Sequence, residues 1–298
     1  MKLFNKIHKL FNAPNKSLNN NLLFEINANM LINFMLNDHS LGVSERKFCN
    51  NDIIVSLTSY GRRLQDVSLT IESIMQGTMK PNRIVLWVDR QWQNKRMPIS
   101  LQRQQQRGLE IEYCKDIRSY TKLVPALRKY PEDIIITIDD DVLYRYDLIE
   151  RLVNLHLDKP DYIIANRIHR IILGKDKKPI SYLDWEWNAN PSDASPLNFL
   201  TGVGGVLYPP HCLDEEVFNE DVFLDICKYA DDIWFNAMAL KKGTKILKGH
   251  SYNPKGVDYY FTNQEETLHK INVSGESLND IQMQSVFEKY NLYEKLYK

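Results

Sequence analysis

The 298-residue sequence contains no uninterrupted apolar run of the roughly 18–20 residues that a membrane-spanning helix needs, which excludes an integral helical membrane protein as a reading. No signal-peptide core stands near Met1 either, because Asn and Lys interrupt each apolar stretch there. Charge of one sign is missing as well. The 38 Lys and Arg residues balance 38 Asp and Glu, so no global field draws the chain to nucleic acid. The four cysteines (Cys49, Cys114, Cys212, Cys227) form no CxxC pair and have no histidine at zinc-ligand spacing, a usage that fits a reducing cytoplasm. Cys114 and Cys227 sit among apolar neighbours and read as small core residues. A G-x-G-x-x-G dinucleotide fingerprint and internal repeats are also absent. What remains is an ordinary globular composition, 43% hydrophobic and 26% charged, sufficient for one large domain with appendages.

Three regions follow from the patterning: 1–50, a basic and helical N-terminal extension; 51–250, the main domain; and 251–298, a C-terminal helical extension. The opening MKLFNKIHKLFN places Phe4, Ile7, Leu10 and Phe11 at helical spacing with Lys2, Lys6 and Lys9 interleaved. Such a helix suits either an anionic membrane surface or packing on its own domain. A polar stretch, NAPNKSLNNN, leads to an apolar segment from Leu22 to Leu36 that is expected to dock as a helix.

From Asn51 short β-branched runs alternate with amphipathic segments. Strands are predicted over Ile53–Leu57, Arg83–Val88, Leu109–Cys114 and Ile134–Ile138. Helices are predicted over Asp66–Gln76, Ser119–Tyr130 and Leu148–Leu157. That alternation implies an α/β fold with a doubly wound, mainly parallel sheet flanked by helices. Beyond it, Tyr162–Ile172 and Ile180–Trp187 flank the turn GKDKKP and predict a long hairpin or ribbon pair. Asn188–Asn198 is a loop by composition, Thr201–Tyr208 an apolar strand, Asp232–Leu240 a helix stopped near Gly243, and a last helix begins near Asn279.

The chemistry concentrates in IIITIDDDV, where an apolar strand delivers Asp139, Asp140 and Asp141 at its carboxyl end, the edge at which open α/β sheets bind ligands. Crowding like charges is costly unless a cation or hydrogen bonds compensate. Mg²⁺ or Mn²⁺ is the matching cation, since hard ions take oxygen ligands and engage substrate phosphates as well. Asp139 and Asp141 point the same way on an extended chain, so the pair suits one metal and its diphosphate. A solvated acidic loop or a helix cap is the bland alternative.

Strand order together with IDDDV resembles the GT-A (Rossmann-like) fold of nucleotide-sugar glycosyltransferases and their DxD motif, most nearly the bacterial inverting enzymes of glycosyltransferase family 2. The resemblance spans roughly Asn51 to Leu247. It implies that Asp139 lies toward the nucleotide ribose with Asp140 beside it at the donor, and that Asp141 is the main metal ligand. The loop SLTSYGRR would hold base and ribose through Thr58, Tyr60 and Arg62, with Arg62 or Arg63 at phosphate, and without the P-x-Y-N style turn common in the family. In KDIRSYTKLVPAL, Asp116 would meet a pyrimidine edge and Lys122 a phosphate; both also read as surface charges. In FLTGVGGVLYPP, the three glycines Gly202, Gly204 and Gly205 would let backbone approach the sugar, Gly204 and Gly205 above all, with plain packing as the alternative.

In YADDIWFNAMAL the family's usual Glu-Asp pair reads Asp-Asp, which makes Asp232 the expected base and Asp231 its neighbour, unless the two merely cap the helix. His250 is a candidate third metal ligand. Trp185 and Trp187 form either a sugar platform or core packing. The expected activity is metal-dependent transfer of a sugar from a nucleoside diphosphate, by preference a UDP-sugar, to an acceptor hydroxyl on a glycan or lipid-linked carrier. Inversion, a cytoplasmic site, a role in bacterial surface glycan synthesis and peripheral contact at the inner face of the membrane complete that expectation. A nucleotidyltransferase competes poorly, because TSYGRR lacks the glycine-rich, lysine-containing loop such an enzyme would show; a non-catalytic scaffold is the remaining alternative.

Overall fold

The computed structural model describes residues 22–252, 258–261 and 278–297. The basic segment 1–12 therefore lies outside the described residues. The centre is a seven-stranded sheet in the order β10 (Ile246–Lys248), β6 (Ile163–Ala165), β9 (Val206–Tyr208), then β4, β1, β2 and β3. Four of its strands are those predicted: β1 (Ile53–Thr58), β2 (Arg83–Asp89), β3 (Leu109–Cys114) and β4 (Ile134–Thr137). They pair in parallel, β1 with both β2 and β4, and β2 with β3. Burial on both faces explains their near-continuous apolar composition, with Ile53, Ile54, Val55 and Leu57 all fully buried. Alternation splits β1 between two cores. Ile54 packs with helices on one face, while Ile53, Val55 and Leu57 pack on the other.

Helix α1 (22–37) docks through Ala28 and Leu31 against Leu143. α2 (Val67–Met75), α3 (Ile99–Gln105) and α5 (Leu148–Asp158) cover the face that holds Val55, and α4 (Val124–Lys129) and α7 (Asp231–Lys242) cover the other. α7 stops at Gly243, whose φ of 91° gives the left-handed cap that glycine favours. α6 (Glu220–Ile226) and α8 (Leu278–Tyr290) join the second face, where Phe287 and Val286 of α8 are buried against the core around α7.

Three expectations need correction. The helix predicted over Ser119–Tyr130 is instead a 3-10 turn at Arg118–Lys122 followed by α4, because Pro125 in the first turn of α4 has no N–H to continue the preceding turn. The long hairpin is also not formed. β6 (Ile163–Ala165) joins the central sheet beside β10 (Ile246–Lys248), and β7 (Ile168–Arg170) pairs antiparallel with β8 (Asn198–Leu200). Only isolated bridges, Arg170 to Glu186 and Leu173 to Pro179, link the two predicted arms. Finally, the glycine-rich strand is a 3-10 turn at Gly202–Gly204 followed by the short β9 (Val206–Tyr208), which runs antiparallel between β4 and β6. β5 (Val142–Tyr144) and β11 (Tyr259–Phe261) form a small separate ribbon.

Candidate functional site

The carboxyl ends of β1, β3, β4 and β6 share one edge of the sheet, and the acid triplet leaves β4 there. Its three members have different environments. Asp140 is the anchor, with its side chain only 7% exposed. Ser59 Oγ donates to it at 2.6 Å and Arg63 Nη1 at 2.8 Å, and Thr70 Oγ1 of α2 donates to its carbonyl at 3.1 Å. Burial raises its pKa against the opposing pull of Arg63 and Ser59. Asp139 and Asp141 flank this anchor and remain more accessible, 28% and 17% exposed. Arg63 reaches Asp141 at 3.4 Å. Burial, then the charges of Asp139 and Asp140, push the Asp141 carboxyl up to about 6, the signature of a carboxylate crowded by like charge.

Lys122 ends the turn after β3 and is 8% exposed. Its Nζ donates to Asp139 Oδ1 at 2.9 Å and lies 3.0 Å from Asp231 Oδ2, an ion-pair contact without hydrogen-bond alignment. Burial opposes its charge, but Asp139, Asp231 and Asp232 together hold its pKa well above the usual lysine value. One ammonium thus joins the strand-end acids to the two acids that open α7. Its carbonyl accepts from Ser56 Oγ of β1, which in turn accepts from Trp87 Nε1, so the lysine backbone is tied to the sheet.

Asp232 reaches away from its own helix. Its Oδ1 accepts the Gly202 N–H at 3.0 Å, and neither α7 acid caps the helix with its side chain. Burial and the neighbouring Asp231 raise its pKa to about 7 against the pull of Lys122. A Cβ on Gly202 would stand 2.6 Å from Lys122 Nζ and 3.1 Å from Asp232 Oδ1, so this glycine faces the site. Gly204 and Gly205 do not. A Cβ on Gly204 would meet Arg167 Cβ at 2.6 Å and its backbone N at 2.9 Å, and Gly205 adopts a φ of 87° against Leu148 of α5. Tyr144 ties the triplet to the same turn: its hydroxyl accepts from the Asp139 N–H at 2.9 Å and donates to the Val203 carbonyl at 3.0 Å.

Other predicted residues fall farther from the acids. The Thr58 hydroxyl donates to the Trp87 carbonyl, and Tyr60 is 60% exposed with the Arg63 guanidinium 5.5 Å from its ring centre. Arg62 is exposed, and its neighbour Arg63 holds the acids instead. Asp116 is exposed and accepts the Arg118 N–H in a local turn. His250 is exposed with its ring against Tyr252, and among the described residues no three His, Cys, Asp or Glu side chains converge as ligands for a metal ion. Trp185 is core, 4% exposed and packed on Tyr182 and Phe199; Trp187 is half-buried against His169. Sequence reading missed Ser59 and Tyr144, and it named Arg63 for a phosphate and not for the acids it holds. Gly202 was legible only as one of three glycines, and nothing local marked Ser59 or Tyr144.

No protein-family model matches the chain, and no curated protein is similar to it in sequence. Solved structures are similar in fold. A mannosyltransferase from Pyrobaculum calidifontis in complex with GDP-mannose and Mn²⁺ shares 12% identity at a TM-score of 0.51, over 93% of this chain and 76% of that one. A CMP:2-keto-3-deoxy-manno-octonic acid synthetase complexed with CTP shares 14% identity at a TM-score of 0.40, over 70% of this chain and 93% of that one. The fold is therefore GT-A-like, a mixed, mainly parallel sheet flanked by helices, with the acid triplet at the carboxyl edge of the parallel strands.

Proposed function

We propose that the protein is a metal-dependent glycosyltransferase that moves a sugar, with inversion, from a nucleoside diphosphate to an acceptor hydroxyl in assembly of a surface glycan. One observation supports this above the rest: Lys122 links the accessible carboxylate Asp139 of the triplet to the Asp231–Asp232 pair at the carboxyl edge of the sheet. A Mg²⁺ or Mn²⁺ ion fits the donor set. Asp139 and Asp141 are hard oxygen ligands on either side of the anchored Asp140, and two carboxylates plus substrate phosphates is the usual complement for such ions. When bound, the ion would supply charge to the departing diphosphate.

The remaining work falls to the chain itself. Asp232 is held by the Gly202 N–H with one oxygen left to take the acceptor proton. The acceptor oxygen then forms its bond to the anomeric carbon as the bond to the diphosphate breaks, and the electron pair leaves on the phosphate oxygen. Lys122 steadies the negative charge of Asp139 and Asp231 throughout, and Arg63 keeps Asp140 and Asp141 in register. Tyr60 and Arg62, exposed at the end of β1, are free to meet the nucleotide, and a neighbour of the same fold that holds GDP-mannose makes guanosine as eligible as uridine.

Calorimetric titration of UDP and GDP into the wild type and Asp141→Ala, with Mn²⁺ and with chelator, tests the reading. Binding of one nucleotide that requires Mn²⁺ and weakens by more than about tenfold in Asp141→Ala is expected. A folded wild type that binds neither nucleotide in a metal-dependent way would overturn it in favour of a scaffold.

A further inference from the structure

Arg167 follows β6 at the same sheet edge as the acid triplet, and nothing in the scheme above uses it. Its Nε donates to Asn188 Oδ1 at 2.6 Å and its Nη1 to Thr201 Oγ1 at 3.3 Å. Both holders are themselves fixed. Asn188 sits in the left-handed region at φ 52°, and its N–H donates at 3.1 Å to Nδ1 of His169, which is buried and packed 4.7 Å from the Trp187 ring. The Thr201 N–H donates to the Arg167 carbonyl at 3.2 Å. Gly204 passes so close to Arg167 that any side chain there would collide with it. The cradle is built, and it is neutral.

That neutrality is unusual within this molecule. Arg63, Arg107, Arg145, Arg151 and Arg170, the other arginines that are not exposed, each have a carboxylate partner. Half-buried Arg167 has none within ion-pair distance among the described residues. Two of its five N–H groups are engaged, which leaves part of the planar fork for a ligand. A guanidinium is always charged and matches carboxylate or phosphate oxygens two at a time, so a poorly compensated one is a site for an anion. Its position indicates which. Its holders belong to the β7–β8 side, where Thr201 precedes the Gly202 that orients Asp232. Arg63 occupies the other side of the triplet, by the nucleotide loop.

We propose that Arg167 receives an anionic group of the acceptor, a carboxylate or a phosphate near the hydroxyl that Asp232 deprotonates, so that the enzyme selects negatively charged acceptors. This rests on the glycosyltransferase reading. The test uses the full chain with its donor and matched acceptor sets: neutral alkyl hexosides, their 6-phosphates and the corresponding uronic acids. The wild type is expected to favour one anionic member over its neutral partner by about 10- to 100-fold in kcat/KM, expressed in KM, and the preferred member tells phosphate from carboxylate. Arg167→Gln should reduce that preference to about twofold or less while nucleotide affinity with Mn²⁺ stays within about twofold. Arg167→Lys should keep part of the preference, because charge remains and the fork is lost. If Arg167→Gln fails to fold, inorganic phosphate added to the wild type must inhibit in competition with the anionic acceptor and not with the nucleotide. Equal use of neutral and charged acceptors by the wild type overturns the proposal, as does an Arg167→Gln variant that loses nucleotide binding and keeps its acceptor preference. A wild type without metal-dependent nucleotide binding fails at the earlier step and takes both readings down together.

Discussion

Lys122 carries more of the site than any other side chain, because three carboxylates depend on one ammonium. Removal of one member of such a buried array leaves the others uncompensated, which costs about 3–5 kcal/mol where a pair is fully buried. Lys122→Met should therefore lower the urea midpoint markedly and abolish transfer together. A variant that retains wild-type stability would show that the acids relax into solvent and that the lysine is not their keystone. Asp232 makes a pH prediction. With its carboxyl raised to about 7 by burial and Asp231, the base form is lost as pH falls through that value, so kcat/KM should rise with pH and level off above about 8. The groups that face it are Asp231, Lys122, Asp139 and the Gly202 N–H. Asp232→Asn should lower kcat by about 10²–10⁴ and remove this acid limb, and a limb that persists in the variant would assign it elsewhere.

Among the elements, the Gly202–Gly204 turn separates two roles for glycine. Gly202→Ala places its methyl against Lys122 Nζ and Asp232 Oδ1, so activity should fall while the melting temperature changes little. Gly204→Ala meets Arg167 backbone and Cβ and should destabilise the fold by about 1–3 kcal/mol. Thermal melts alongside rate measurements on the two variants check the contrast; equal effects would refute it. The same turn shows what the sequence could and could not reveal. β1 to β4 were legible since each is a β-branched run buried on both faces, and the triplet was legible as acids that end such a run. β7, β8 and β9 are three residues long and too short to show a period. The choice of Asp231 and Asp232 drew on local chemistry alone, whereas the link from Lys122 to Asp139 and Asp231 joins residues brought together only by tertiary packing.

For the molecule as a whole, the C-terminal helix is more than an appendage. α8 buries Phe287 and Val286 in the same core as Trp234 and Phe235 of α7, and Asp280 accepts from both the Ser181 hydroxyl and the Tyr182 N–H at 2.7 Å. Phe287→Ala should cost about 3–5 kcal/mol of unfolding free energy, as for a core aromatic. A cost under about 1 kcal/mol would make region 251–298 a separable extension. Helix α1 differs: Leu22, Leu23, Ile26, Met30 and Phe34 are all exposed. Among the described residues, no helix is long and apolar enough to cross a membrane.

The antiparallel β9 has a consequence for synthesis. It fills the slot between β4 and β6, yet roughly 70 residues separate the end of β4 from it. At about 5–20 residues per second of translation, the hydrogen-bonding edge of β4 waits several seconds for its partner. During that interval an apolar Ile134–Ile135–Ile136 edge is open to any other nascent strand. The acid triplet that follows immediately places three negative charges beside that edge, and charge at the end of an apolar strand opposes pairing of a half-made sheet with its neighbours.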